Sequence, residues 1–531
     1  MTLKPEHSVQ NWQVRKPVAR TRGGIVATQN RLAGEAGARV LAAGGNAVDA
    51  AVATGFALAA VEPWNSGLGG VGFMLIYLAK EKRVQVVDFG PISPRALDPA
   101  DYPLVGGGVT TRDLFTWPTV KDDRNVHGPL SMAVPGQVDG LGLALERFGT
   151  RRFAEMLQPA IALAERGMAV DWFLTLKVAT MAKELARYET TRAVWLPQGF
   201  PPVTAAGAPL ERLRMTGLAE TLQRLAKGGP RDYYEGSLAR DIAEDVRRMG
   251  GKLGLEDLRH YRARLVSPLE CDYRGARFAL APGLSAGPSM HRALKALAEV
   301  DLARGEPQPE AFVAYARILR ETYTDRLASM GETSDHRDPS TTTHLNVIDR
   351  DGNMVALTQT LLSVFGSKVV LPKTGILMNN GIMWFDPRPA SPNTLAPNKR
   401  PLTNMCPVIV HRGGKPWFAI GASGGRKIFP AVFQISSFII DHDLSLEAAF
   451  HQPRIDASGG DTVGIDPRLA AKVQDALAAQ FPVAATEFVV YPTNFACPSA
   501  VFSDPDSGEH FGISDVMSPW SGAVSEDSVS A

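Results

Sequence analysis

The sequence predicts a layered α/β protein, and three observations predict it. Residues 73–78 and 84–89 are apolar runs joined by a short polar connection, the pattern of a strand hairpin. The middle, 136–330, carries amphipathic stretches with helical spacing at 141–147, 154–166 and 232–249. Past it the pattern returns to strands, at 344–348, 354–360, 407–411 and 417–420. At 531 residues the length suggests three or four domains and equally allows one large layered unit.

The remaining elements follow in chain order. Residues 1–22 read as an arm and 24–28 as a short strand. Two Ala-rich stretches, 32–43 and 47–61, read as helices broken by Gly44-Gly45, with Asn46 as N-cap of the second. The loop Gly67-Leu68-Gly69-Gly70-Val71-Gly72 leads into the strand at 73–78. Residues 195–210, rich in Pro and Gly, read as loop. Residues 329–341 are polar and turn-prone, which predicts exposure and susceptibility to cutting. Residues 519–531 read as a polar tail.

Composition narrows the function classes. A formal net charge of +1 gives no bulk field for nucleic acid or an anionic membrane. Cys271, Cys406 and Cys497 lie far apart and form neither a CxxC pair nor a disulfide framework. Ten histidines show no metal-ligand spacing, so neither a metal nor another cofactor is expected. The N-terminal stretch has no apolar signal-like region, and no apolar run has spanning length. The expectation is a soluble, cytoplasmic protein.

Thr341-Thr342-Thr343 runs into His344 at the start of a strand. A threonine freed at its amino side by chain cleavage becomes a nucleophile whose own α-amine serves as base. The segment Asp349-Arg350-Asp351-Gly352-Asn353 is a strong hairpin signal. Centring the turn on Asp351 places Thr342 opposite Thr360, where the two hydroxyls can bond; a slip of one residue would spoil the match. Both are also ordinary β-branched strand residues.

The loop 67–72 fits G-x-G-x-x-G, but in the order helix, loop, strand. A dinucleotide site needs strand, loop, helix, so close backbone packing is the expectation. Gly421-Ala422-Ser423-Gly424-Gly425 follows a strand and precedes a helix beginning near Lys427. It fits a serine-hydrolase elbow on Ser423. It equally fits an oxyanion hole built from the N–H groups of Gly424 and Gly425. A nucleophilic threonine requires the second.

Taken together, these blocks resemble the γ-glutamyltransferase (γ-glutamyltranspeptidase) family of N-terminal nucleophile (Ntn) hydrolases, in a divergent, acylase- or amidohydrolase-like form. The resemblance spans nearly the whole chain. It is carried by Gly44-Gly45-Asn46-Ala47-Val48-Asp49-Ala50-Ala51, Val134-Pro135-Gly136, Thr342-Thr343-His344, Asp351-Gly352-Asn353, Phe365-Gly366-Ser367-Lys368, Gly375-Ile376-Leu377, Asn379-Asn380, Lys399-Arg400-Pro401-Leu402 and Gly424-Gly425. It implies an α/β fold of the four-layer αββα sandwich type, made as one precursor. It implies cleavage between Thr341 and Thr342, giving a large subunit 1–341 and a small subunit 342–531 intertwined in one domain. Thr342 would be the nucleophile in both self-cleavage and catalysis, Thr360 the family's second threonine, and Gly424 and Gly425 the oxyanion glycines. The partners implied are a small-molecule amide, water or an amine acceptor, and the chain's own cleaved subunit; a homo-oligomer is allowed.

Departures from the family pattern concern the glutamyl clamp. The family's arginine after the strand ending at Phe89 is replaced by Gly90, and an asparagine by Leu362. Gly381, Met383 and Trp384 occupy amide and acid positions, and Thr403 and Asn404 replace paired serines. The stretch between Trp384 and Lys399 is short for a substrate lid. Each lost charge-assisted bond is worth roughly 1.5–3 kcal/mol, about 10- to 150-fold in affinity. Thr403, Asn404, Arg426, Leu362 and Trp384 are therefore candidates to bind a different acyl group, either a small oxo-acid amide such as oxamate or a bulkier acyl amide. The rival readings are a true γ-glutamyltransferase or glutathione hydrolase, a serine esterase using Ser423 with His442, His451 or His510, and a non-catalytic relative.

Overall fold

A computed structural model describes residues 14–109, 117–330, 342–491 and 493–530. Two seven-stranded sheets stack face to face. In the first, strand order from one edge is Gly522–Ser525, Ile25–Thr28, Thr343–Ile348, Met354–Thr360, Val71–Leu78, Arg83–Phe89 and Arg264–Val266. In the second it is Ala19–Thr21, His510–Ser514, Cys497–Ser503, Lys415–Ser423, Val408–Arg412, Ala276–Leu280 and Leu269–Tyr273. Neighbouring strands pair antiparallel throughout both sheets.

Helices cover the outer faces. Ala47–Val61 lies on the hairpin of Thr343–Ile348 and Met354–Thr360 in the first sheet, with Arg31–Ala42 beside it. Gly287–Ala298 and Ile428–Ile440 cover the second sheet. The order is thus helix, sheet, sheet, helix, and the αββα expectation holds. One apolar cluster fills the space between the sheets and under the second helix layer, and another lies under the first helix layer. Each fully buried Val, Leu or Phe contributes roughly 1.5–3 kcal/mol, which ties the layers into one unit.

Ala47–Val61 is buried along every residue, which its small side chains permit. Asn46 caps it by accepting from Val48 and Asp49 N–H, and Asp49 returns a bond to the Asn46 N–H, closing a capping box. The Asp349 carboxylate accepts the Ala47 N–H at 2.9 Å. It also accepts the Asp351 and Asn353 N–H groups at 3.0 and 2.9 Å, so one side chain both shapes the hairpin turn and caps the helix.

Two expectations need correction. The stretch 232–249 is broken at Gly236 into Asp232–Glu235 and Ser237–Arg248, because Asp232 turns back to accept the Ser237 N–H at 2.8 Å. The predicted tail is structured: Gly522–Ser525 pairs with Ile25–Thr28, and the Glu526 carboxylate accepts the Gly24 N–H at 2.6 Å. The stretch 329–341 and residues 1–13 of the arm fall largely outside the described residues. Among the described residues no helix is long and apolar enough to cross a membrane.

Candidate active site

The hairpin register matches the sequence arithmetic. Thr343 pairs with Gln359, His344 with Thr358, and Ile348 with Met354. Continuing it one step places Thr342 against Thr360, and their Oγ atoms are 3.4 Å apart. Both residues are buried. The Thr360 hydroxyl accepts the Leu362 N–H at 2.7 Å. Leu362 makes this bond with φ at +85°, a left-handed conformation that costs a branched residue roughly 1–3 kcal/mol and tends to occur at functional sites.

The second sheet brings the other glycine loop to the same end of the hairpin. A Cβ on Gly352, in the hairpin turn, would lie 3.7 Å from Pro416, near the start of Lys415–Ser423. A Cβ on Gly421 would lie 2.3 Å from the His344 ring. The hairpin and this strand therefore run alongside each other, and Thr342, Thr360 and Gly424-Gly425 lie toward the same end of the pair. Gly424 has φ +127° and Gly425 φ +55°, and a Cβ at Gly424 would lie 2.8 Å from the Ala496 backbone. Only glycine fits that turn, which leaves peptide N–H groups rather than side chains at the strand end.

Ser423 does not occupy an elbow. It is the last residue of a strand, and it is absent from the described residues with positive φ. Its hydroxyl is held by the Gln29 amide. His442 bonds Tyr315, His451 bonds the Lys16 carbonyl, and His510 bonds the Gly23 carbonyl. His344 is also structural. Its ring nitrogens lie 2.8 Å from the Thr358 hydroxyl and 3.0 Å from Asn346 Oδ1, and burial pushes its pKa down to about 3.

The loop 67–72 is packing, as expected. A Cβ on Gly70 would lie 2.8 Å from the Thr360 carbonyl oxygen, and the Gly70 carbonyl accepts the Gly136 and Gln137 N–H groups. Asn379 pins this region by donating to the Gly69 and Ala133 carbonyls. Asn380 accepts the Ser363 N–H and donates to the Val126 carbonyl.

Leu362 and Trp384 lie in the same apolar cluster as Met383 and Leu402. Trp384 Nε1, Thr403 Oγ1 and Asn404 Nδ2 are buried without a hydrogen-bond partner. Buried polar atoms are normally paired; the indole N–H groups of Trp64, Trp117 and Trp195 are orphaned in the same way, so the three atoms do not by themselves mark a ligand site. The Thr403 backbone is fixed: buried Arg326 donates to its carbonyl at 2.6 Å, and its N–H reaches the Leu284 carbonyl at 2.7 Å. Asn393 closes the short segment after Trp384 by donating to the Trp384 carbonyl and accepting the Leu402 N–H. The Arg426 guanidinium lies against Gly459, where a Cβ would be 2.7 Å away, and its carbonyl takes the Tyr323 hydroxyl.

Two groups escaped the sequence reading. Arg400 stands beside Gly90, donating to its carbonyl at 3.1 Å and pairing with Asp88 at 3.3 Å. Glu62, 2% exposed, accepts the Thr343 hydroxyl at 3.2 Å.

A sequence model of the γ-glutamyltranspeptidase family matches residues 33–339 and 321–519. The acylase ACY 1 proenzyme of Pseudomonas sp. (strain SE83) is 34% identical over 484 residues, covering 84% of each chain. The glutathione hydrolase proenzyme of Escherichia coli (strain K12) is 32% identical over 488 residues, covering 82% of this chain and 81% of that one. The crystal structure of a cephalosporin acylase from Bacillus halodurans superposes with a TM-score of 0.84 at 24% identity, over 98% of this chain and 99% of that one, a likeness of fold. The hairpin, the glycine loop, the layered architecture and these matches agree: this chain belongs to the γ-glutamyltranspeptidase family, Ntn hydrolases that act on amide bonds.

Proposed function

We propose that the protein is a self-processing threonine amidohydrolase with Thr342 as nucleophile. The observation that carries this reading is the Thr342–Thr360 hydroxyl pair, 3.4 Å apart at the end of a buried hairpin. In maturation, Thr342 Oγ attacks the Thr341 carbonyl carbon, the peptide C–N bond breaks, and water hydrolyses the resulting ester. The products are subunits 1–341 and 342–531 and a free α-amine on Thr342. Relatives named as proenzymes support processing of this kind.

In catalysis the α-amine takes the proton from Thr342 Oγ as the oxygen attacks the substrate amide carbon. The developing oxyanion is met by the Gly424 and Gly425 N–H groups, a contribution commonly worth about 10²–10³ in kcat per donor. The amine product leaves with that proton, and water or an amine acceptor then cleaves the acyl ester. Thr360 orients the nucleophile, and Leu362 N–H fixes Thr360.

The acyl group is inferred from the candidate binding residues. Trp384, Thr403 and Asn404 present hydrogen-bond donors, and Leu362 and Met383 add apolar surface. Met383 and Trp384 supply no carboxylate for a glutamyl α-ammonium. An acyl chain that ends in an acceptor and lacks the α-amino group suits this set, as in a dicarboxylic monoamide or an oxo-acid amide. The acylase relative favours this reading, and the glutathione hydrolase relative favours a γ-glutamyl amide. Hydrolysis of glutathione, oxamate and a glutaryl amide by the purified protein separates them. Turnover of the glutaryl amide or oxamate well above glutathione is expected; fast glutathione turnover with neither of the others would overturn the acyl-group assignment.

A further inference from the structure

We propose that Glu62 and Thr343 form a positioning pair that sets the approach of Thr342. This rests on the nucleophile reading above. Thr343 follows the nucleophile directly, and its hydroxyl donates to Glu62 Oε2 at 3.2 Å. The other carboxylate oxygen accepts the Asn65 amide at 2.6 Å. The same short segment also holds the opposite arm of the hairpin. The Asn65 carbonyl accepts the Leu361 N–H at 2.9 Å, and the Trp64 carbonyl accepts the Phe365 N–H at 2.8 Å. Residues 62–65 thus grip the hairpin on both sides, one residue beyond Thr342 and one beyond Thr360.

A carboxylate is an expensive choice at this place. Glu62 is the C-cap of Ala47–Val61, where the helix dipole disfavours an anion, and it is buried. An amide could accept only one of these two bonds, and its NH2 would have to donate to the Thr343 hydroxyl instead. The groups facing Glu62 come from three elements: Thr343 from the hairpin, Lys177 from Trp172–Leu185, and the Cys497 thiol from the second sheet. Lys177 is half-buried with its ammonium 4.9 Å from the Phe173 ring centre. Burial pushes the Glu62 carboxyl up to about 7, while Lys177, Thr343 and Asn65 pull it back down. Above that pH the carboxylate accepts the Thr343 proton. Below it the acid has one proton of its own to donate, and the direction of this bond can reverse.

The test compares Glu62→Gln, Thr343→Val, Thr343→Ser and the Glu62→Gln/Thr343→Val double variant with wild type. It reads the cleaved fraction, thermal unfolding, and kcat and KM against pH, on a p-nitroanilide that wild type hydrolyses. Glu62→Gln and Thr343→Val are each expected to lower kcat by about tenfold or more, with KM within about threefold of wild type. Thr343→Ser should recover most of the loss. The double variant should be no slower than the slower single variant. The acid limb of the wild-type profile should be steeper than one proton, and that of Glu62→Gln should show the Thr342 α-amine alone. If wild type is cleaved and active while Thr343→Val matches it in kcat and acid limb, the pairing is overturned and the nucleophile reading stands. An intact, inactive wild type overturns both. Should Glu62→Gln fail to fold, the Thr343→Val and Thr343→Ser comparison decides alone.

Discussion

Thr360 has two tasks that a single substitution separates. Its hydroxyl meets Thr342 and accepts the strained Leu362 N–H, and Thr360→Val keeps the shape while removing both bonds. Processing and turnover should each slow by roughly 10- to 100-fold, about the worth of one or two buried hydrogen bonds, with little change in melting temperature. A timed denaturing gel and a kcat measurement check this; wild-type rates on both would remove Thr360 from the account. At this scale the sequence was legible where the chemistry is local. The Asp-Gly turn fixes a period-2 register, so Thr342 and Thr360 could be paired by counting. Glu62 was not legible, because its partner Thr343 lies 281 residues away and nothing in the stretch Val61-Glu62-Pro63-Trp64 announces a buried carboxylate. The orphaned atoms of Trp384, Thr403 and Asn404 were visible only as departures from a family pattern; that they lack partners is a property of the packed structure.

His344 in the hairpin and Glu62 packed against it make opposing pH-sensitive contributions to stability. His344 is buried neutral, with its pKa lowered from 6.5 to about 3. The unfolded chain therefore binds a proton that the folded hairpin refuses. This destabilises the fold as pH falls from 6.5 toward 3, by roughly 1.4 kcal/mol per pH unit. Glu62 acts in the opposite sense. Its raised pKa means that the folded state keeps a proton the unfolded state has lost, so stability falls as pH rises from 4.5 to about 7. Between pH 4.5 and 6.5 the two slopes largely cancel, and below 4.5 His344 acts without that opposition. Urea unfolding of Glu62→Gln from pH 4 to 8 should lack the Glu62 slope and be more stable than wild type at pH 8, by at most about 3 kcal/mol. A variant that is less stable at pH 8 would contradict the buried-charge cost. Element boundaries were readable from period and caps, as at Asn46 and the Asp349 turn. The edge strand Gly522–Ser525 was missed because its short sequence, Gly-Ala-Val-Ser, is too brief to show alternation, and its order comes from pairing with Ile25–Thr28 and from the Glu526 anchor.

Across the whole molecule, a cut before Thr342 does not divide the fold. In the first sheet Thr343–Ile348 lies beside Ile25–Thr28, and Met354–Thr360 beside Val71–Leu78. In the second, Ala276–Leu280 pairs with Val408–Arg412, and Ala19–Thr21 with His510–Ser514. Both sheets and both apolar clusters therefore draw on residues from each side of the cut. The processed protein should elute as one species under native conditions and separate only on denaturation; release of a soluble small fragment at neutral pH would contradict the interleaved topology. The layered class was legible from the alternation of strand and helix patterns. The pairing of strands so distant in sequence was not, since it depends on contacts that no local window contains.

The most direct test of the central claim is N-terminal sequencing of the smaller fragment, alongside the Thr342→Ala variant. The account predicts two chains of about 37 and 20 kDa, the 57.1 kDa precursor divided in proportion to chain length, the smaller beginning Thr342-Thr343-His344, and an intact, inactive Thr342→Ala protein. A fragment beginning at another residue, or a full-length Thr342→Ala protein that still hydrolyses the amide, would contradict it.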